Sequence, residues 1–293
     1  MTISLTPLEP LFEADIEQGA DLPLPPDLEN LYGRLHFPSP RGQPHVIANF
    51  VSTLDGVVSL NVPGQAGGGP ISGNSQHDRM VMGLLRASAD SVIVGAGTLR
   101  ASHNHVWTAE YVYPSLSEPF KILRTKMGKA ATPLNVIVTA TGRINLNMRV
   151  FQSGEVQVLV ITTPEGERRI RGFEIPPNLQ MKVVEGAGSI SAGTILDVVN
   201  AVQSNHLILV EGGPRLMGDF FAEARLSELF LTLSPQIAGR DDMTERPGLV
   251  AGRTFAPDCP LWSKLISVKR GGDHLFLRYS LAGVPSTRLP SRG

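Results

Sequence analysis

The chain has 293 residues, 42% hydrophobic and 18% charged, with 26 Lys+Arg against 27 Asp+Glu and a formal net charge of −1. That length and apolar content suffice for a full core, and the balanced charge gives no reason to expect nucleic acid or an anionic membrane surface as partner. The single cysteine, Cys259, excludes an internal disulfide and a Cys-rich zinc or iron–sulfur site. Met1-Thr2-Ile3-Ser4-Leu5 lacks a basic segment leading into an apolar run, and every apolar stretch is interrupted well short of roughly 18 residues. The expectation is a cytoplasmic globular protein.

In chain order, residues 1–44 carry prolines at 23, 25, 26, 38, 40 and 44, with a short helix expected over Asp27–Leu35, where Leu28, Leu31, Tyr32 and Leu35 recur at helical spacing. This segment reads as an N-terminal arm packed on the body, its first residues equally compatible with a loose tail. His45–Val51 reads as a strand. A Gly-rich loop (Gly64, Gly67, Gly68, Gly69) precedes a helix over Ser75–Ala89, with Ser75 as N-cap, Asp78 completing a capping box, and Met80, Leu84, Leu85 and Ala87 on one face.

Ser91–Gly95 is apolar and largely β-branched, as a buried parallel strand requires. Further strands are expected at Leu134–Thr139, Val156–Thr162, Met181–Glu185 and Leu207–Val210, with helices over Ser191–Gln203 and Pro214–Ala224. Glu228–Leu233, Lys264–Lys269 and His274–Ser280 read as strands without intervening helices. The alternation predicts an α/β fold with a mixed, mainly parallel sheet flanked by helices and an antiparallel C-terminal edge. One domain over 45–282 follows, with 283–293 a Pro/Ser/Arg-rich C-terminal tail.

Three turns carry candidate chemistry. Leu207–Val210 runs into Glu211-Gly212-Gly213-Pro214-Arg215-Leu216, where two glycines precede a helix with Pro in its first turn. Such a turn lets a phosphate reach free backbone N–H groups at the positive end of the helix, although a plain tight turn has the same pattern. Val94-Gly95-Ala96-Gly97-Thr98-Leu99-Arg100 repeats the arrangement without completing G-x-G-x-x-G, because position 100 is Arg. A standard Rossmann domain is therefore not expected. Ser52-Thr53-Leu54-Asp55-Gly56 follows the first strand of the body, where Asp-Gly commonly marks a turn.

In this order these pieces resemble the reductase domain of the riboflavin-biosynthesis deaminase-reductases, within the dihydrofolate-reductase-like superfamily. The matching stretches are Ala48–Gly56, Ile71-Ser72-Gly73, Leu84-Leu85-Arg86-Ala87, Val94–Thr98, Glu211–Pro214 and Leu233–Gly239, and the likeness covers roughly residues 45 to 281. It implies NADPH as hydride donor and a ribosylaminopyrimidine substrate, such as 5-amino-6-(5-phosphoribosylamino)uracil, reduced at C1′ of the opened sugar.

The resemblance places cofactor contacts on Val51, Ser52 and Thr53, on Gly95, Gly97 and Thr98, on Thr139, and on Gly212, Gly213, Pro214, Arg215, Leu216 and Gly218. Thr162 and Thr163, at another strand end, are candidates for the adenosine half, although an ordinary strand terminus explains them as well. Substrate contacts fall on Gly68 or Gly69, Ser72 and Arg86, with Glu211 and Asp55 as catalytic candidates. Burial at a strand end would raise the pKa of Glu211 and suit it to protonate the ring oxygen as the sugar opens; its other role is to hydrogen-bond the base. Arg86 is either a bidentate phosphate clamp or a solvated helix arginine.

The chain also departs from that family. It has no Pro-Cys-x-x-Cys, so zinc-dependent deamination is excluded. The run Arg100-Ala101-Ser102-His103-Asn104-His105-Val106-Trp107 lacks the usual acidic residues and the arginine that contacts substrate phosphate; Arg100, His103 or His105 are the candidates to replace it. A dihydrofolate or pterin reductase is the rival enzyme reading. It needs a carboxylate on the first helix, where Asp78 is the candidate and the helix cap already accounts for it. A non-catalytic NADPH-binding protein is the third alternative. A small-molecule substrate, no metal and a homodimer complete the expectations.

Overall fold

A computed structural model describes residues 5–14, 20–38, 42–62, 67–102, 104–186, 188–241 and 243–281. Its strands are β1 Glu9–Glu13, β2 Ala20–Asp21, β3 His36–Phe37, β4 His45–Ser52, β5 Ser91–Gly95, β6 Leu134–Thr139, β7 Val158–Thr162, β8 Leu179–Val183, β9 Leu207–Val210, β10 Glu228–Leu233, β11 Lys264–Gly271 and β12 His274–Ser280. The helices are α1 Pro26–Tyr32, α2 Gly68–Ser72, α3 Gln76–Ser88, α4 Ala96–Ala101, α5 Ala109–Val112, α6 Ser117–Lys126, α7 Arg149–Gln152, α8 Pro164–Ile170, α9 Ala192–Val202 and α10 Pro214–Ala222. No helix among the described residues is long and apolar enough to cross a membrane.

One ten-stranded sheet runs in the order β1-β11-β12-β10-β4-β9-β5-β6-β7-β8. From β10 to β8 neighbouring strands are parallel; from β10 through β12 and β11 to β1 they are antiparallel. This is the α/β arrangement expected from the sequence, with the antiparallel edge at its C-terminal strands. The chain skips a place between β4 and β5 and fills it later with β9, so the strand order reverses at the centre of the sheet. In open α/β sheets ligands bind beyond the carboxyl ends of the strands at such a point.

Alternate side chains of the central strands feed two layers of core. Val92, Val94, Ile137 and Leu209 pack on one face with Leu84 and Leu85 of α3 and Phe120 of α6. Ile93, Val136, Ile208 and Val210 pack on the other with Ile195 of α9 and Phe220 of α10. Both faces being covered explains the near-continuous apolar strands. The ring of Phe120 lies so close to α3 that a Cβ on Gly83 would meet its Cζ at 2.6 Å.

Among the elements that the sequence did not announce, two bear on the packing. The segment around Glu9–Glu13 forms an edge strand paired with β11, where Lys269 reaches Glu13 at 2.7 Å. Helix α6 lacks a side-chain N-cap, and nothing in its short, charged sequence announces it. It has a defined task nonetheless. The buried Arg124 guanidinium donates to the carbonyls of Arg86, Ala87 and Ala89, satisfying groups that the end of α3 leaves open.

Candidate active site

A cleft of about 960 Å³ lies at the carboxyl ends of β4, β5, β6 and β9. This is the upper part of the range typical of small-molecule sites. Its walls come from Val51, from the turns after β5 and β9, from Thr139 and Ala140 after β6, and from Gly68, Gly69 and Ser72 of α2. The segment from Pro247 to Arg253 closes another side.

The two glycine turns meet. A Cβ on Gly95 would lie 3.9 Å from the backbone N of Gly213, and a Cβ on Gly213 would lie 3.4 Å from the Thr98 hydroxyl. Gly213 is the N-cap of α10 with φ −68°, so the turn asks for no unusual backbone there. What it offers is bare backbone at the positive end of a helix. Gly212 is required for a different reason, since a Cβ there would run into the side chain of Leu216.

Arg86 and Glu211 form the polar centre of the cleft. The guanidinium grips the carboxylate with Nε 3.1 Å from each oxygen and Nη2 2.6 Å from Oε2, while Nη1 donates to the Thr108 carbonyl at 3.2 Å. Arg86 is 1% exposed, which overturns the view of it as a solvated helix arginine. The pairing also corrects the expectation for Glu211. Its carboxylate is engaged on both oxygens by the guanidinium and is placed as a fixed acceptor.

Asp55 is placed elsewhere. It is not among the residues lining the cleft; its carboxylate takes the Thr53 hydroxyl and the N–H groups of Ala238 and Gly239. Those bonds, the Thr53 hydroxyl first, hold its pKa at about 2. Asp55 therefore organises a turn. Ser52 and Thr53 are buried in the same turn and do not line the cleft. Thr162 donates to the Thr139 carbonyl, Thr163 caps α8, and Gly218 packs against Ala251, so these three also lie outside the lining. Val51, Gly69, Ser72, Arg86, Gly95, Gly97, Thr98, Thr139, Glu211 and Gly212 through Leu216 are brought together. His103 falls outside the described residues.

Three polar side chains that the sequence did not mark also contribute. Asn49, buried on β4, faces the cleft, as do Arg79 of α3 and Arg253, which pairs with Asp219 at 2.8 Å. Asp78, which the sequence offered only as the acid of a pterin reductase or as part of the helix cap, is placed here too. Its backbone N–H does complete half of the helix cap by donating to Ser75 Oγ at 3.3 Å. Its carboxyl does not reach back. It turns inward, 4% exposed, against the hydroxyls of Thr232 and Ser72, and lines the cleft. In the altered loop, Arg100 and His105 both line the cleft. Burial, and then the Arg86 charge, push the pKa of His105 well below the usual histidine value, so it stands there as a neutral ring. That removes it as a cation for phosphate.

Comparison with known proteins agrees with this geometry. The profile of the RibD C-terminal domain family matches residues 44–273. A protein named 2,5-diamino-6-ribosylamino-4(3H)-pyrimidinone 5′-phosphate reductase from Archaeoglobus fulgidus is 24% identical over 218 residues, covering 74% of this chain and 90% of its own. The riboflavin biosynthesis protein RibD of Aquifex aeolicus is 25% identical over 197 residues, 67% of this chain and 48% of its own. Among solved structures, a pyrimidine reductase-like protein from Corynebacterium diphtheriae superposes with a TM-score of 0.63 at 21% identity, covering 86% of this chain and 97% of that one. The deaminase/reductase of Thermotoga maritima gives 0.59 at 20% identity, covering 81% and 56%. With the matched span taking in the whole cleft from β4 to β11, the chain belongs to the RibD C-terminal domain family.

Proposed function

We propose that the protein is an NADPH-dependent reductase that converts the ribosylamino group of a phosphorylated aminopyrimidine into a ribitylamino group. The observation that carries this reading is the convergence of both glycine turns and the Arg86–Glu211 pair on one cleft. The names of the relatives, a ribosylaminopyrimidinone 5′-phosphate reductase and a riboflavin biosynthesis protein, support the reaction class.

The residues present fit a dinucleotide. Gly95 and Gly213 leave bare backbone at the start of α10, suited to a pyrophosphate, with the Thr98 hydroxyl beside it, and Thr139 and Ala140 extend the wall. Arg100 and Arg215 add cations for a 2′-phosphate. When bound, the reduced nicotinamide supplies hydride to C1′ of the opened sugar. The protein's own task is to hold that carbon in place and keep water out. On the substrate side, Gly69, Ser72 and Arg86 bind, and the fixed Glu211 carboxylate accepts N–H groups of the pyrimidine. Residues 1–44 as an arm on a 45–282 reductase domain, a homodimer and a cytoplasmic setting complete the reading; the pairing of β1 with β11 supports the arm.

The test follows loss of NADPH absorbance with 2,5-diamino-6-ribosylamino-4(3H)-pyrimidinone 5′-phosphate, with its deaminated counterpart, with dihydrofolate, or with nothing added. Oxidation is expected with a ribosylamino compound alone. Oxidation with dihydrofolate instead would favour a pterin reductase, and none at all a binding protein.

A further inference from the structure

Reduction of a C1′–N double bond consumes one proton as well as one hydride, so the cleft must contain a proton source. Four carboxylates line it: Asp78, Glu211, Asp219 and Glu245. Glu211 is clamped by Arg86, Asp219 is paired with Arg253, and Glu245 is exposed at the rim. Asp78 differs from all three. It is buried, it makes no ion pair among the described residues, and its partners are the neutral hydroxyls of Thr232 and Ser72.

We propose that Asp78 is the acid of the reaction, a catalytic residue that delivers the proton to the substrate nitrogen while Glu211 orients the base. This deepens the reductase reading above and rests on it. As hydride arrives at C1′, the π electrons of the C1′–N bond move onto nitrogen; an N–H bond forms there and the Asp78 Oδ–H bond breaks. The carboxylate left behind regains its proton from solvent.

The surroundings suit that role. Burial raises the pKa of Asp78 above the ordinary aspartate value, and the nearby Glu211 charge adds to the rise. The hydroxyls of Thr232 on β10 and Ser72 on α2, together with His274 on β12, oppose it. The His274 ring nitrogen sits 2.9 Å from the Ser72 carbonyl, and Arg86 on the same helix is held by Glu211. A buried acid with a raised pKa beside a desolvated substrate is the arrangement general acid catalysis needs, and such groups contribute about 10²–10⁴-fold.

The experiment compares wild type, Asp78→Asn and Thr232→Val in steady-state turnover from pH 5 to 9 (on the order of the range a folded protein tolerates), with NADPH affinity measured by fluorescence. Wild-type kcat is expected to be level at low pH and to fall as pH rises through the raised Asp78 value. Asp78→Asn is expected to lose about 10²–10⁴ in kcat, to keep its NADPH dissociation constant, and to lose the alkaline limb. Thr232→Val removes a hydroxyl that favours the carboxylate, so its limb should move to higher pH. Should Asp78→Asn not fold, that displacement decides. Wild-type kcat in Asp78→Asn, or an unmoved limb in Thr232→Val, overturns the assignment while leaving the reductase reading intact. A wild-type protein with no turnover on any ribosylaminopyrimidine overturns both.

Discussion

Arg86 and Glu211 lie 125 positions apart, yet the guanidinium of one closes on both carboxylate oxygens of the other at the centre of the cleft. The side chains are 2% and 8% exposed, so each charge depends on its partner. Arg86→Met should therefore cost about 3 kcal/mol in urea unfolding by stranding the Glu211 carboxylate, and Arg86→Met with Glu211→Gln should recover much of it. Equal losses in the single and double variants would mean that the pair does not act as a unit.

The glycines of the second turn separate folding from binding. Gly212→Val should lower the melting temperature, because the new side chain collides with Leu216. Gly213→Val has ordinary φ and only the Thr98 hydroxyl nearby, so it should fold but bind NADPH at least about tenfold more weakly. Calorimetry on the folded variant checks this; undiminished affinity would move the pyrophosphate away from α10.

Cofactor choice should rest on exposed cations. NADPH is expected to bind more tightly than NADH, and Arg215→Ala should narrow the difference while leaving NADH binding alone. Parallel fluorescence titrations measure both constants. Equal affinities in the wild type would contradict the assignment of a 2′-phosphate site.

Acid stability has its own determinant at the sheet's antiparallel edge. Burial alone would raise the pKa of Glu228, but the hydrogen bond from His45 and the charge of Arg278 outweigh it and hold the value below the usual 4.5. A depressed carboxylate stabilises the fold above its unfolded value and loses that contribution as pH falls through the folded one. The wild type should thus lose melting temperature below about pH 4.5, and Glu228→Gln should be less stable at neutral pH with a flatter acid limb. Identical pH profiles would remove Glu228 from the account.

Much of this was legible in residue order. The parallel strands announce themselves because two-sided burial leaves Val92–Val94 and Leu207–Val210 continuously apolar, and the glycine turns stand where those strands stop. The edge strand at Glu9–Glu13 was not legible, since all its residues are exposed and pairing with β11 is a long-range event. The role of Glu211 was half legible: its place at a strand end is local, but its pairing with a helix arginine is not. Asp78 was named as a candidate acid, but the inward turn of its side chain was hidden for a different reason. A residue three positions after Ser75 satisfies the capping pattern whether or not its side chain takes part, so the pattern cannot report which way the carboxyl points. Asp55 shows the converse, an acidic residue in a matching motif whose carboxylate serves its own turn.

The most direct test of the central claim is isotopic. The protein is incubated with NADPH deuterated at nicotinamide C4 and the ribosylaminopyrimidine phosphate, and the product is read by NMR. The account predicts one deuterium at C1′ of a ribityl chain, delivered from one face of the nicotinamide. Deuterium on a ring carbon, or a product without deuterium, would contradict it.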